Sequence, residues 1–307
     1  MSAQPAEQSF DNRQAEKTVH APLRISILTN KTATLSGLQI GFIGAGAMAR
    51  AIIGGLLKSG LPSTQIQASA KTEETCKDVE NTLGIRTDSN HDLAKTCDVL
   101  VLAVKPQLLK EVCEEIAPTL RRDQLLISVA AGVTSQAIAS WAGNHAIIRC
   151  MPNTPCAIGQ GASGLFANAA VNSEQKAIAD AILSSVGLAL FVNEEPLIDS
   201  VTAIAGSAPA YFFLFLEAMI DSGKTLGLDE DTAKKLAIQT AAGAAQLALT
   251  SEDSLESLRK SVTSPKGTTE QAILSMENNN LRGLVDQAMK ACVNRAQQLS
   301  RDLSSNS

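Results

Sequence analysis

38-LQIGFIGAGAMARAIIGGLLKSG-60 passes from a short apolar run to a helix-periodic one through a cluster of glycines and alanines. Leu38 to Ile43 reads as a buried strand, and from Met48 the apolar residues recur at helical spacing until Gly60 caps the end. The join, Gly44-Ala-Gly46-Ala47-Met48-Ala49, is a G-x-G-x-x-A sequence placed where a strand feeds a helix. In that position Gly44 permits the tight turn, Gly46 lets a pyrophosphate approach the backbone, and Ala49 lets helix and strand pack closely. Ala47 and Met48 open the helix, whose free N–H groups and positive dipole end favour phosphate. The rival reading is a tight turn without a ligand.

The alternation continues outward. "QIQAS" (65–69), "CDVLVLAV" (97–104), "QLLISVAAG" (124–132), "HAIIRCMPN" (145–153) and "LALFVN" (188–193) read as strands, separated by helix-periodic segments. Continuous apolar strands alternating with helices predict a doubly wound, mostly parallel sheet covered on both faces, an α/β Rossmann domain over 37–199. Beyond Asp199 only helical periodicity is left, so 200–307 is expected to be an all-α domain. Its many apolar faces predict self-association. "AYFFLFLEAMI" (210–220), which contains Glu217, is too short to span a bilayer and reads as a buried helix.

Parallel strands present their C-terminal ends to the ligand. Ala103 and Val104 are therefore expected against the dinucleotide, with Pro106 stopping the strand and Lys105 either reactive or held by carbonyls. The second strand ends Ser69-Ala70-Lys71, without the carboxylate that grips the ribose of NAD. Ser69, Lys71 and Thr72 suit a 2′-phosphate instead, so NADPH is the expected cofactor and NADH the alternative.

A net charge of −5 and an aromatic content of 3% exclude a generic nucleic-acid surface or an anionic-membrane patch. Six cysteines without a C-x-x-C pair, and three histidines at no ligand spacing, give no metal site and point to reduced thiols in a cytoplasmic protein. Residues 1–36 are polar and mixed in charge; they read as a disordered extension rather than a targeting signal.

The glycine loop at 44, "AVKP" (103–106), "MPNTP" (151–155), "GSAPAY" (206–211) and "VTSPKGTTEQ" (262–271) occur in that order. Together they resemble the pyrroline-5-carboxylate reductase family, which catalyses the last step of proline biosynthesis. The resemblance runs from about Leu38 to Leu299. It implies NADPH-dependent reduction of 1-pyrroline-5-carboxylate to L-proline, with a small-molecule substrate. It also implies dimerisation through the helical domain, with dimers assembling into a ring such as a decamer. Each active site would lie between one cofactor domain and the paired helical domains. By position, Ser264, Gly267, Thr268 and Thr269 would hold the substrate carboxylate, with Glu252 nearby. Asn90 and Ala131 would contact the cofactor, and Asn153 would lie close to the nicotinamide.

The segment 263–273 fits an anion site on its own chemistry. Thr268 to Gln271 has capping-box spacing, so a helix is expected to begin at Thr268, and the N–H groups of Gly267, Thr268 and Thr269 would converge on a carboxylate. An ordinary N-cap explains Thr268 and Gln271 but not so many small donors in one turn. Thr269 is the expected catalytic hydroxyl, hydrogen-bonding the imine nitrogen. Two positions depart from the family pattern: Lys266 stands where a glycine is usual and requires negative φ or a left-handed strain, and Ala208 replaces a glycine. A 3-hydroxy-acid dehydrogenase would need a lysine on the first helix after the domain junction, and "PAYFFLFLEAMIDSG" (209–223) has none. A non-enzymatic NADP(H) sensor would not need the anion turn.

Overall fold

A computed structural model describes residue 31 and residues 33–305. The apolar runs form β1 (Ile40–Ile43), β2 (Ile66–Ser69), β4 (Val99–Leu102), β5 (Leu125–Ser128), β6 (Ala146–Met151) and β8 (Gly187–Phe191). Two strands went unread in the sequence, β3 (Arg86–Thr87) and β7 (Gly161–Ala167). The eight lie in the order β3-β2-β1-β4-β5-β6-β7-β8. The ladder is parallel from β3 through β6, β7 runs antiparallel to β6, and β8 follows β7 in parallel.

Strand alternation builds two cores. Ile40, Phe42, Val99 and Val101 face α1 (Ala47–Lys58), α2 (Glu73–Leu83) and α6 (Ser173–Ser184). Ile43, Leu100 and Leu102 face α3 (Asn90–Thr96), α4 (Pro106–Ile116) and α5 (Ser135–Ala142). Both faces are covered, as the continuous apolar strands require. The ordered domain also begins before residue 37. Leu35 is 1% exposed within the first core, and the Lys31 ammonium lies 2.6 Å from Asp180. The rest of the expected extension, residues 1–30 and 32, lies outside the described residues.

The C-terminal half is helical: α7 (Leu197–Val201), a π-turn (Thr202–Gly206), α8 (Ala208–Thr225), α9 (Glu230–Thr250), α10 (Leu255–Ser261), α11 (Thr268–Asn278) and α12 (Leu281–Ser305). Within one chain these helices bury little besides Ile198, Asp199, Ala203, Ala208, Ala233 and Ala237. The expectation of a buried α8 is overturned: Phe212 and Leu214 are each 67% exposed. The expectation that this stretch is too short also fails. Leu197–Thr225 runs as one helical length of 29 residues, with a mean hydropathy of 1.6 in its most apolar window, enough by length and composition to cross a membrane. The Asp199/Ser200 boundary, read from the change in periodicity, falls inside α7.

Candidate active site

At the end of β1 the chain turns at Gly44, whose φ is +96°; a Cβ there would stand 2.7 Å from the Ala103 carbonyl oxygen. Only glycine satisfies both the left-handed backbone and the close approach. Gly46 caps α1 with no side-chain cap, and a Cβ built on it meets nothing within 4 Å. Its backbone faces open space, and Ala47 is exposed at the helix mouth beside half-buried Met48. Those are the features a pyrophosphate needs. The loop is braced by Arg50, which donates from Nε to the Ala45 carbonyl at 3.0 Å and pairs with Asp78 at 2.6 Å. Sequence reasoning passed over Arg50, which no motif marks.

A cleft of about 220 Å³ opens beside Gly44. Its walls include Ser69, Lys71, Asn90, Val104, Glu111 and Glu115. Ser69 is buried at the end of β2 and donates its hydroxyl proton to Asn90 Oδ1 at 2.6 Å. Asn90 Nδ2 in turn donates to Glu115 Oε2 at 2.9 Å. The fold thus brings together Ser69 and Lys71, expected at the ribose 2′ position, and Asn90, expected only to contact the cofactor. Asn90 sits there because α3, a helix unread in the sequence, starts at that residue behind a Ser89 cap. Thr72 caps α2, accepting from the Thr75 N–H at 3.2 Å. Glu73 pairs forward with Lys77, so it does not reach back to the ribose position.

Along the next strand ends, Ala103 and Val104 are half-buried beside the loop, and Ala131 is exposed past β5. Pro106 occupies the first turn of α4 behind Lys105, whose side chain extends into solvent and is not held by carbonyls. Asn153 is buried, and both ends of its amide are committed: Nδ2 donates to the Ala205 carbonyl at 3.1 Å, and Oδ1 accepts from the Ala162 N–H at 2.9 Å. It ties the end of β6 to the π-turn and to β7.

Beneath that tie lies an ion network with no sequence signal beyond its charges. The Arg149 guanidinium, 5% exposed, stands 3.5 Å from both Glu195 and Asp199. Glu195 accepts the Ser135 N–H at 2.6 Å and the Ser135 hydroxyl at 2.7 Å. Burial raises the Asp199 carboxyl above its ordinary value, and Arg149 opposes the rise. Tyr211, at the start of α8, lies beside Cys292 and Ser207; burial, with the Cys292 thiol, pushes its phenol up. Glu217 on the same helix is exposed.

The turn before α11 differs from its reading in one respect. The helix begins with Gly267, not Thr268, as the N-cap, and no Thr268–Gln271 capping box forms. Glu270 takes the bracing role, accepting the Lys266 N–H at 2.7 Å. The Gly267 N–H is not free either, since it donates to the Ser264 carbonyl at 3.0 Å and closes a Pro265-Lys266 turn. Lys266 adopts φ +61°, the left-handed strain anticipated for a non-glycine. The groups left without a partner are the N–H groups of Thr268, Thr269 and Glu270, in the first turn of α11. Ser264, Thr268 and Thr269 are exposed, and Glu252 is exposed in the loop before α10. Among the described residues no hydrogen bond or ion pair links 255–278 to the sheet domain.

An open phosphate loop, a cleft at the switch in strand order and a separate helical half define a two-domain, dinucleotide-dependent oxidoreductase. Residues 195–299 match the family model described as pyrroline-5-carboxylate reductase dimerisation, and residues 39–132 match that described as NADP oxidoreductase, coenzyme F420-dependent. A pyrroline-5-carboxylate reductase of Pseudomonas aeruginosa is 47% identical over 271 residues, covering 88% of this chain and 99% of its own. The structure of the Coxiella burnetii pyrroline-5-carboxylate reductase superposes with a TM-score of 0.83 at 43% identity, over 86% of this chain and 98% of that one. The Plasmodium falciparum pyrroline carboxylate reductase with NADP bound gives 0.76 at 30% identity, over 86% and 98%. The chain belongs to the pyrroline-5-carboxylate reductase family.

Proposed function

We propose that this chain reduces 1-pyrroline-5-carboxylate to L-proline with NADPH as the preferred reductant. The observation that carries the reading is the mouth of α11: three unpartnered main-chain N–H groups, at Thr268, Thr269 and Glu270, in a chain that also holds an open dinucleotide loop. The substrate is a small cyclic imine with one carboxylate, and a helix N-terminus is a ready anion seat.

The nicotinamide, when bound, supplies the hydride that adds to the imine carbon. The chain does the rest. Gly46, Ala47 and Met48 receive the pyrophosphate at the α1 mouth; Ser69, Lys71 and Asn90 receive the ribose 2′ position; Ala103, Val104, Lys105, Pro106 and Ala131 line the path toward the reacting end. Ser264, Thr268 and Thr269 form the carboxylate seat with the Glu270 N–H, Gly267 contributing the side-chain-free cap in front of them, Glu252 lying beside it and the Lys266 ammonium adding opposite charge. Thr269 hydrogen-bonds the ring nitrogen. Asn153 positions the loop near the nicotinamide through its two backbone ties. The imine carries its own proton, so orientation and exclusion of water supply most of the acceleration.

A second copy completes the site, since within one chain α11 is tied only to its own neighbourhood. Dimers form through α8, α9, α11 and α12, and a decamer is the expected assembly. The apolar face of Leu197–Thr225 meets that second copy rather than lipid. The six free cysteines, four of them buried, fit a reducing cytoplasm.

The test follows NADPH absorbance on adding 1-pyrroline-5-carboxylate, then repeats it with NADH. Thr269→Ala should lower kcat about 10- to 100-fold while the Kd for NADPH stays within about twofold. Unchanged turnover removes Thr269 from the mechanism, and no oxidation of either nucleotide removes the function.

A further inference from the structure

Glu115, on the last turn of α4, crosses the cleft and accepts a hydrogen bond from Asn90 Nδ2 at 2.9 Å. A carboxylate only accepts, so it fixes the direction of the amide. Asn90 must turn its carbonyl toward Ser69, and Oδ1 accepts the Ser69 hydroxyl proton at 2.6 Å. Ser69 is 3% exposed and has one proton to give. With that proton committed, it meets the cleft with lone pairs alone. Lone pairs suit a ribose 2′-hydroxyl, which donates. They oppose a dianionic 2′-phosphate, which accepts. The charge of Glu115 acts in the same direction, and Glu111 lines the same cleft. Lys71 also lines it, and His91 Nε2 lies 3.9 Å from the second oxygen of Glu115.

We infer that Glu115 is a specificity-determining residue that sets the direction of the Ser69–Asn90 relay, keeping the cleft open to NADH and limiting its discrimination in favour of NADPH. The inference rests on the proposal that the adenosine ribose lies at Ser69, Lys71 and Asn90. It predicts that removing the charge sharpens the preference for the phosphorylated nucleotide. In Glu115→Gln the new side-chain amide can donate to Asn90 Oδ1, so the Asn90 amide turns and Ser69 recovers a proton to donate.

The experiment titrates the full-length protein and its variants with 2′,5′-ADP and with 5′-AMP by calorimetry, alongside kcat/KM for NADPH and NADH. For Glu115→Gln the Kd of 2′,5′-ADP should fall about five- to tenfold, with that of 5′-AMP within about twofold. The NADPH-to-NADH ratio of kcat/KM should rise by the same factor. A purely structural role for Glu115 would move both ligands together. Lys71→Ala is the control for the ribose position and should weaken 2′,5′-ADP selectively. If it does and Glu115→Gln leaves the ratio unchanged or lowers it, the relay is overturned while the ribose placement stands. If neither Lys71→Ala nor Ser69→Ala changes either ligand, the ribose lies elsewhere and both readings fall.

Discussion

Gly44 and Gly46 stand two residues apart in one loop, and a methyl group has opposite consequences at the two. At Gly44 it meets a positive φ and a carbonyl 2.7 Å away. Gly44→Ala should cost about 2–4 kcal/mol of stability, seen as a lower urea midpoint. At Gly46 it meets only open space. Gly46→Ala should fold with an unchanged midpoint but bind NADPH at least about tenfold more weakly, since the methyl stands where the pyrophosphate must approach. Equal behaviour of the two variants would refute the division of labour. Lys266 makes a third case. Its left-handed backbone costs about 1–2 kcal/mol, and glycine there loses about 0.5–1 kcal/mol to chain entropy. Lys266→Gly should therefore leave the fold unchanged or stabilise it by up to about 1.5 kcal/mol; a lower midpoint would show that the lysine side chain contributes packing that its exposure does not suggest. Residues with a special backbone demand were legible, because glycine and its absence announce themselves. Glu115, Arg50 and Arg149 were not, because a charge names no partner until the fold supplies one.

The elements that could be read were those with a period. β1, β4 and β5 are solid apolar runs, and each is buried throughout. β7, Gly-Ala-Ser-Gly-Leu-Phe-Ala, escaped because its composition answers to neighbours rather than to strand propensity. A Cβ on Gly161 would lie 2.2 Å from Cys156 Sγ, and one on Gly164 would lie 2.6 Å from the Val201 side chain. The capping box at Thr268 had the right spacing and the wrong register. Pro265 and Lys266 form a turn first, which moves the cap to Gly267. The junction of β6, α5 and α7 rests on Arg149 with Glu195 and Asp199. Arg149→Met leaves the buried Asp199 carboxylate and the half-buried Glu195 carboxylate without a cation and should cost about 3–5 kcal/mol. Asp199 has a raised folded pKa, so its ionisation disfavours the fold. Its contribution is present at low pH and lost as the pH rises through that pKa, and without Arg149 the rise is larger. The deficit of Arg149→Met should therefore shrink as the pH is lowered from neutral toward about 5, in parallel denaturant titrations. A deficit that grows on acidification would remove Asp199 from the account.

At the scale of the molecule, the sheet domain is self-sufficient and the helical half is not. Phe212, Phe213, Leu214 and Phe215 lie exposed on one helix beside a domain with two complete cores. The family match over 195–299 names the remedy, self-association. Phe213→Glu should shift the protein to smaller species in sedimentation and lower turnover at least about tenfold, with NADPH still bound by the intact sheet domain. Retained assembly would place the contact elsewhere on the helices. That the helical half needed company was legible from its uninterrupted apolar periodicity; which helix faces the partner was not, because exposed apolar side chains are spread over α8, α9, α11 and α12 alike. The join between the halves carries a mechanical consequence. A five-residue loop, 192–196, joins β8 to α7, and beyond it α7, the π-turn at Thr202–Gly206 and α8 follow one another with only a bend at Ser207, whose N–H reaches back to the Thr202 carbonyl. Packed on the sheet at α7 and running directly into α8, this short helical stretch couples the two halves of a subunit more stiffly than a long linker would. Hydrogen exchange should find the amides on both sides of Asp199 opening as one unit.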